Sequence, residues 1–134
     1  LSSAGRKVPL YGAILFTIDD VNKPEAAKLA KRFYDIGFKI WATRGTSRYF
    51  NELNIPTKIG YKIEEETENL ISLIQKGKVQ YVVNTTNKGK QSMNDGFLIR
   101  RTSVENGVPC LTSMDTVEAM LKVIESMTFK MEKM

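Results

Sequence analysis

The chain has 134 residues, 42% hydrophobic and 26% charged, which suits one globular domain built on a single core. Its one cysteine excludes an internal disulfide, and the absence of histidine removes histidine-based nucleophile systems and the commonest general acid–base near neutrality. The net charge of +5 favours anionic partners, while no apolar run approaches the roughly 18–20 residues that cross a bilayer, so no membrane partner is expected.

A single cysteine without histidine cannot make the usual zinc sets, and it fits a reducing, cytoplasmic setting. There is no block of basic residues and no aromatic RNA-binding motif, so a small phosphorylated ligand is expected rather than nucleic acid. Aspartate, glutamate and lysine remain available for proton chemistry. The first residue is Leu1 rather than an initiator methionine, and the chain is expected to be a piece of a longer protein.

Leu1–Leu10 has no periodicity and reads as an incoming linker, leaving 11–134 as the domain. Tyr11–Ile18 is an apolar run of strand length. After a polar loop, Pro24 sits where a first helical residue would, and Ala27, Ala30, Phe33, Tyr34 and Ile36 recur at helical spacing up to Gly37. Phe38–Ala42 alternates as a second strand. Thr43 to Thr46 is a tight turn, Ser47–Leu53 a short helix, and Pro56–Gly60 a brief third strand. Tyr61–Glu68 reads as a polar loop, and Asn69–Lys76 as a helix closed by Gly77. Val79–Asn84 is a strand rich in β-branched residues. Thr85–Ser92 reads as a basic loop, and the next helix lies within Asp95–Asn106, ended by Gly107. Val108–Leu111 is a fifth strand. Thr112 or Ser113 caps a last helix whose apolar stripe is Val117, Met120, Leu121 and Ile124. Five strands alternating with helices imply a parallel sheet with helices on both faces, an α/β three-layer sandwich.

Ligands of such sheets bind beyond the carboxyl ends of the strands. Those ends carry Asp19, Asp20 and Lys23; Thr43, Arg44, Gly45 and Thr46; Lys62; Asn84, Thr85, Thr86, Lys88, Gly89 and Lys90; and Thr112 with Ser113. Hydroxyls, lysines and glycines are the groups that hold phosphate. In the turn after the second strand, Gly45 lets backbone approach a ligand, the helix-start N–H groups converge, and Thr46 can cap the helix while donating to an anion. The same residues also serve plain capping, and lysines are usually solvated. Trp41, Cys110, Met114, Met120 and Met127 read as packing residues. Glu64 to Glu66 reads as a solvated run, and Arg100-Arg101 as a pair that meets acidic groups or a partner subunit.

The ordered set Gly37-Phe38, Ala42-Thr43-Arg44-Gly45-Thr46, Asn54-Ile55-Pro56, Tyr81-Val82-Val83-Asn84-Thr85-Thr86 and Ile99-Arg100-Arg101 resembles the methylglyoxal-synthase-like domain. More narrowly, it resembles the version that ends the large chain of carbamoyl-phosphate synthetase. The likeness runs from about Tyr11 to about Met127, and Ala4 to Pro9 resembles the joining segment upstream. It implies strand order 3-2-1-4-5. The methylglyoxal synthase branch has catalytic Asp and His and a Gly-Asp-Gln-Gln stretch where this chain has Thr86-Asn87-Lys88-Gly89-Lys90-Gln91. The cyclohydrolase branch has Lys-Thr-Leu-His-Pro where this chain has Tyr61-Lys62-Ile63-Glu64-Glu65. The resemblance therefore implies the third branch, a regulatory domain without catalysis of its own, whose rivals are a phosphate lyase and a pure assembly module.

By that resemblance the effector site comprises Lys23, Thr43, Gly45, Thr46, Lys62, Asn84, Thr85 and Thr86, with Arg44, Lys90 and Thr112 as further contacts. In some relatives a threonine at the position of Thr112 binds ornithine. The implied effectors are uridine monophosphate as inhibitor and inosine monophosphate or phosphoribosyl pyrophosphate as activator. The implied partners are the upstream catalytic part, the glutaminase small chain and further copies of the large chain. No cofactor is implied within the domain; ATP with magnesium or manganese belongs to the catalytic part, which makes carbamoyl phosphate for pyrimidines and arginine.

Overall fold

The computed structural model describes residues 11–60, 69–85 and 90–133, the side chains of 90–95 and 130–133 excepted. The expected linker, 1–10, lies outside these. Five parallel strands, β1 (Ala13–Thr17), β2 (Lys39–Ala42), β3 (Lys58–Ile59), β4 (Tyr81–Asn84) and β5 (Cys110–Leu111), form one sheet in the order β3-β2-β1-β4-β5. This is the expected architecture and strand order. The helices are α1 (Lys23–Asp35), α2 (Arg44–Glu52), α3 (Leu70–Gln75), α4 (Lys90–Glu105) and α5 (Met114–Lys133), with a 3-10 turn at Asp20–Asn22 before α1.

β1 is the central strand, and all five of its residues are buried because helices cover both faces. Ile14 and Phe16 face a core shared with α1, α2 and α5; Ala13 and Leu15 face a smaller one shared with α3 and α4. In the larger core, the ring of Phe16 meets Phe50 edge-on at 5.4 Å and Phe33 at 6.5 Å, and Phe33 meets Phe38 at 5.2 Å. The Arg32 guanidinium, donating 2.6 and 3.2 Å bonds to the two carboxylate oxygens of Glu125, ties α1 to α5 on the same side.

Four helices end alike. Backbone N–H groups fold back onto the last turn around a residue of positive φ: Gly37 (105°), Asn54 (65°), Gly77 (71°) and Gly107 (69°). The paired bonds, such as Phe38 N to Phe33 O at 3.0 Å with Gly37 N to Tyr34 O at 3.0 Å, are those of the Schellman motif. Glycine takes that conformation without strain, which is why three of these ends were readable; asparagine is the other residue that tolerates it. Gly60 answers a different need. It follows β3, and a Cβ there would come within 2.7 Å of a Leu70 methyl, so its bareness admits α3.

Several local expectations change. Helix α2 begins at Arg44 rather than Ser47, so the supposed turn is mostly first helical turn. Helix α4 begins at Lys90, inside the expected basic loop, because Lys90 and Gln91, though polar, are good helix formers, as is Met93. Strands β3 and β5 shrink to two residues each at the sheet edges. Met127 is 39% exposed rather than inward-facing, since it lies off the stripe of Val117, Leu121 and Ile124. Trp41 is half-buried, its ring covered by the Lys58 ammonium at 5.4 Å.

Candidate functional site

The chain runs outward from β1 to β2 and β3, then returns to place β4 on the other side of β1. The strand order therefore reverses between β1 and β4, and the carboxyl edge at that point is where such sheets hold ligands. The segment Ile18–Asp19, leaving β1, bridges the two flanking loops. The Ile18 carbonyl lies 3.5 Å from the Thr46 hydroxyl of α2, while the Asp19 N–H donates 3.1 Å to the Thr85 hydroxyl after β4.

On the α2 side, Thr43 is the N-cap in extended conformation, but its hydroxyl makes no capping bond. It donates instead to Thr46 Oγ1 at 3.1 Å. The first intrahelical bond is Ser47 N to Thr43 O, 2.7 Å, so the N–H groups of Gly45 and Thr46 precede the helical ladder. No acidic side chain lies in this first turn. Gly45 is exposed, and a Cβ placed on it would meet nothing within 4 Å. Neither backbone strain nor packing calls for glycine there; its bareness leaves the positive end of the helix open to an anion. Thr46 is 1% exposed at the third helical position, so the N-cap position belongs to Thr43 and the expected capping by Thr46 does not occur.

On the β4 side, the sheet register places Thr17 opposite Asn84. The Thr17 hydroxyl donates to Asn84 Oδ1 at 2.6 Å, and Asn84 Nδ2 reaches the Gly96 carbonyl of α4 at 3.4 Å. Asn84, 3% exposed, thus joins β1, β4 and α4. The Thr85 hydroxyl accepts from Asp19 N–H and gives its only proton to Asp19 Oδ1 at 2.7 Å. The Asn22 amide donates to the same oxygen at 2.7 Å. Thr85 and Asn22 therefore fix a carboxylate at the centre of the edge.

The expected site residues Thr43, Arg44, Gly45, Thr46, Asn84 and Thr85 come together here. Lys23 opens α1 with a mostly covered side chain whose ammonium pairs with the exposed Asp20. That hydrogen bond, and then the lysine's charge, hold the Asp20 carboxyl below its ordinary range. Thr112 is exposed after β5, next to Ser113, whose hydroxyl accepts the Thr116 N–H at 3.3 Å and caps α5. Lys62 and Thr86 lie outside the described residues, as does the side chain of Lys90. Two residues outside the expected site set also stand inside the arrangement: Asp19, just past the end of β1, and Thr17, its last residue. Their signal was position, because both occupy the end of the strand that borders the reversal point.

The chemistry available is that of anion and hydroxyl recognition: helix-start N–H donors on one side of Ile18–Asp19, and a fixed carboxylate on the other. Among the described residues no group of three acidic, cysteine or histidine side chains could hold a metal ion. Cys110 is half-buried in β5, and burial pushes its thiol up against the smaller opposing effects of Ser103 and Arg100. No described helix is long and apolar enough to cross a membrane.

A comparison against protein families finds a match over most of this α/β unit. The model of the MGS-like domain matches residues 25–112, about two thirds of the chain. The chain belongs to the MGS-like domain family.

Proposed function

We propose that this domain is an allosteric effector-binding unit that holds the phosphate of a nucleotide at the carboxyl edge of its sheet. The carrying observation is the start of α2, whose N-cap makes no side-chain capping bond and whose Gly45 faces open space. Phosphate is the natural occupant of such a helix end, since N–H donors and helix dipole act together on it. Lys62 and Lys23 would supply compensating positive charge, and Thr86 a further hydroxyl.

The finer reading assigns the domain to the large chain of a carbamoyl-phosphate synthetase. Its support is the order of sequence motifs, together with the absence of histidine from a fold whose lyase branch depends on one. Uridine monophosphate would inhibit, and inosine monophosphate or phosphoribosyl pyrophosphate would activate, by binding one conformation of the synthetase more tightly than the other. The link from Thr17 through Asn84 to the Gly96 carbonyl gives the ligand edge a direct mechanical tie to α4. The test is calorimetric titration with the three nucleotides and inorganic phosphate, alongside a turnover assay with dihydroxyacetone phosphate. Saturable binding of one nucleotide without turnover is the expected result. Release of phosphate from dihydroxyacetone phosphate would replace this reading with the lyase, and no binding by any of the four would remove the effector site.

A further inference from the structure

Asp19 sits at the centre of the candidate site with its two carboxylate oxygens in different situations. Oδ1 accepts both the Thr85 hydroxyl and the Asn22 amide, at 2.7 Å each. Oδ2 has no hydrogen-bond partner among the described residues. A carboxylate accepts about four hydrogen bonds through its two oxygens, so the fixed Oδ1 side orients an acceptor that still has capacity. The Asp19 backbone N–H, bonded to Thr85 Oγ1 at 3.1 Å, immobilises the residue from a second direction.

The neighbouring residue, Ile18, touches the first turn of α2 through its carbonyl. Consecutive Cα atoms are about 3.8 Å apart, so one small ligand can reach the start of α2 and Asp19 together. The two ends of that span ask for opposite chemistry. The α2 start draws negative charge, whereas Asp19 repels it and welcomes a hydroxyl donor.

We infer that Asp19 selects, within the effector site, a sugar phosphate bearing a free ring hydroxyl, accepting that hydroxyl on Oδ2 while the phosphate occupies the start of α2. The inference rests on the phosphate-site reading above and adds what it leaves open, the discrimination of a ribonucleotide from its deoxy counterparts and from bare phosphate. Thr85 and Asn22 act as positioning residues for that carboxylate.

Asp19→Asn separates the two ideas. An asparagine carbonyl can still accept from Thr85 and Asn22, but an N–H2 donor then replaces the open acceptor. Uridine 5′-monophosphate, its 2′-deoxy and 3′-deoxy analogues and inorganic phosphate would be titrated calorimetrically into both proteins. The native chain is expected to bind the weaker of the two deoxy analogues at least about tenfold less tightly than the ribonucleotide, the range for a hydrogen bond to a charged group. In the variant that ratio should fall below about threefold, while inorganic phosphate gains affinity because a negative charge has gone. Equal native affinity for all three nucleotides, or a ratio kept in Asp19→Asn, overturns the assignment of Asp19 and leaves the phosphate site standing. Failure of every phosphate compound to bind the native chain overturns the phosphate site itself, and the Asp19 role with it.

Discussion

Gly45→Asp puts the phosphate reading under its sharpest strain, because stability and binding should move in opposite directions. Gly45 is the second residue of α2, exposed, with nothing within 4 Å of an added Cβ, so an aspartate fits without displacing a neighbour. An acidic side chain in a first turn that now has none gains about 0.3–1 kcal/mol from the helix dipole, and a few tenths more from leaving glycine behind. The variant should therefore unfold in urea at an equal or slightly higher midpoint. Binding should fail for an electrostatic reason. A carboxylate about 5 Å from a phosphate, at an effective dielectric near 20, opposes it by about 3 kcal/mol per unit charge, or at least 100-fold in affinity. Gly45→Ala, which adds the same Cβ without charge, separates bulk from repulsion, and the loss in Gly45→Asp should shrink in high salt. Calorimetric titration of native and variant chains with uridine monophosphate is the assay. A Gly45→Asp chain that stays folded and binds within about threefold of native would refute a phosphate at this helix start.

Two further outcomes follow from the buried groups. Thr17→Val removes the donor that Asn84 Oδ1 accepts from at 2.6 Å and leaves a buried oxygen unpaired, which should cost about 1–3 kcal/mol of unfolding free energy; an unchanged urea midpoint would dissolve the β1–β4–α4 link. Tyr81, 1% exposed in the core, has its phenol pushed up to about 12 by burial. The stability this represents is whole below the unfolded tyrosine value near 10 and is lost as pH rises toward 12, amounting to about 2–3 kcal/mol. Unfolding measured from pH 8 to 12 should show Tyr81→Phe losing less stability than the native chain across that window, and parallel curves would refute the assignment.

The alternation of apolar runs and amphipathic segments was enough to read five strands and five helices, because a strand buried on both faces and a helix buried on one leave different periods. Gly37, Gly77 and Gly107 marked helix ends for an equally local reason, the positive φ that only glycine adopts freely. Asn54 does the same work at the end of α2, and composition alone did not set it apart from any other polar residue. The start of α4 is illegible for a related cause: Lys90 and Gln91 are polar, yet polarity on a helix signals an exposed face as readily as a loop.

The candidate site divides along the same line. Thr43, Gly45, Asn84 and Thr85 were legible as strand-end residues, since the β–α order dictates which ends share an edge. What only the tertiary structure decided is where their protons go. Thr85 gives its hydroxyl proton to Asp19, Asn84 is held between Thr17 and Gly96, and Thr43 rather than Thr46 stands at the N-cap. The pairings of Thr17 with Asn84 and of Thr85 with Asp19 join residues 67 and 66 positions apart, and no local pattern encodes them. The sequence by itself determined the periods, the helix stops and the set of groups gathered at one edge. Which of those groups bond to one another was settled only when β4 came to lie beside β1, because a hydrogen bond depends on distance in space rather than on separation along the chain.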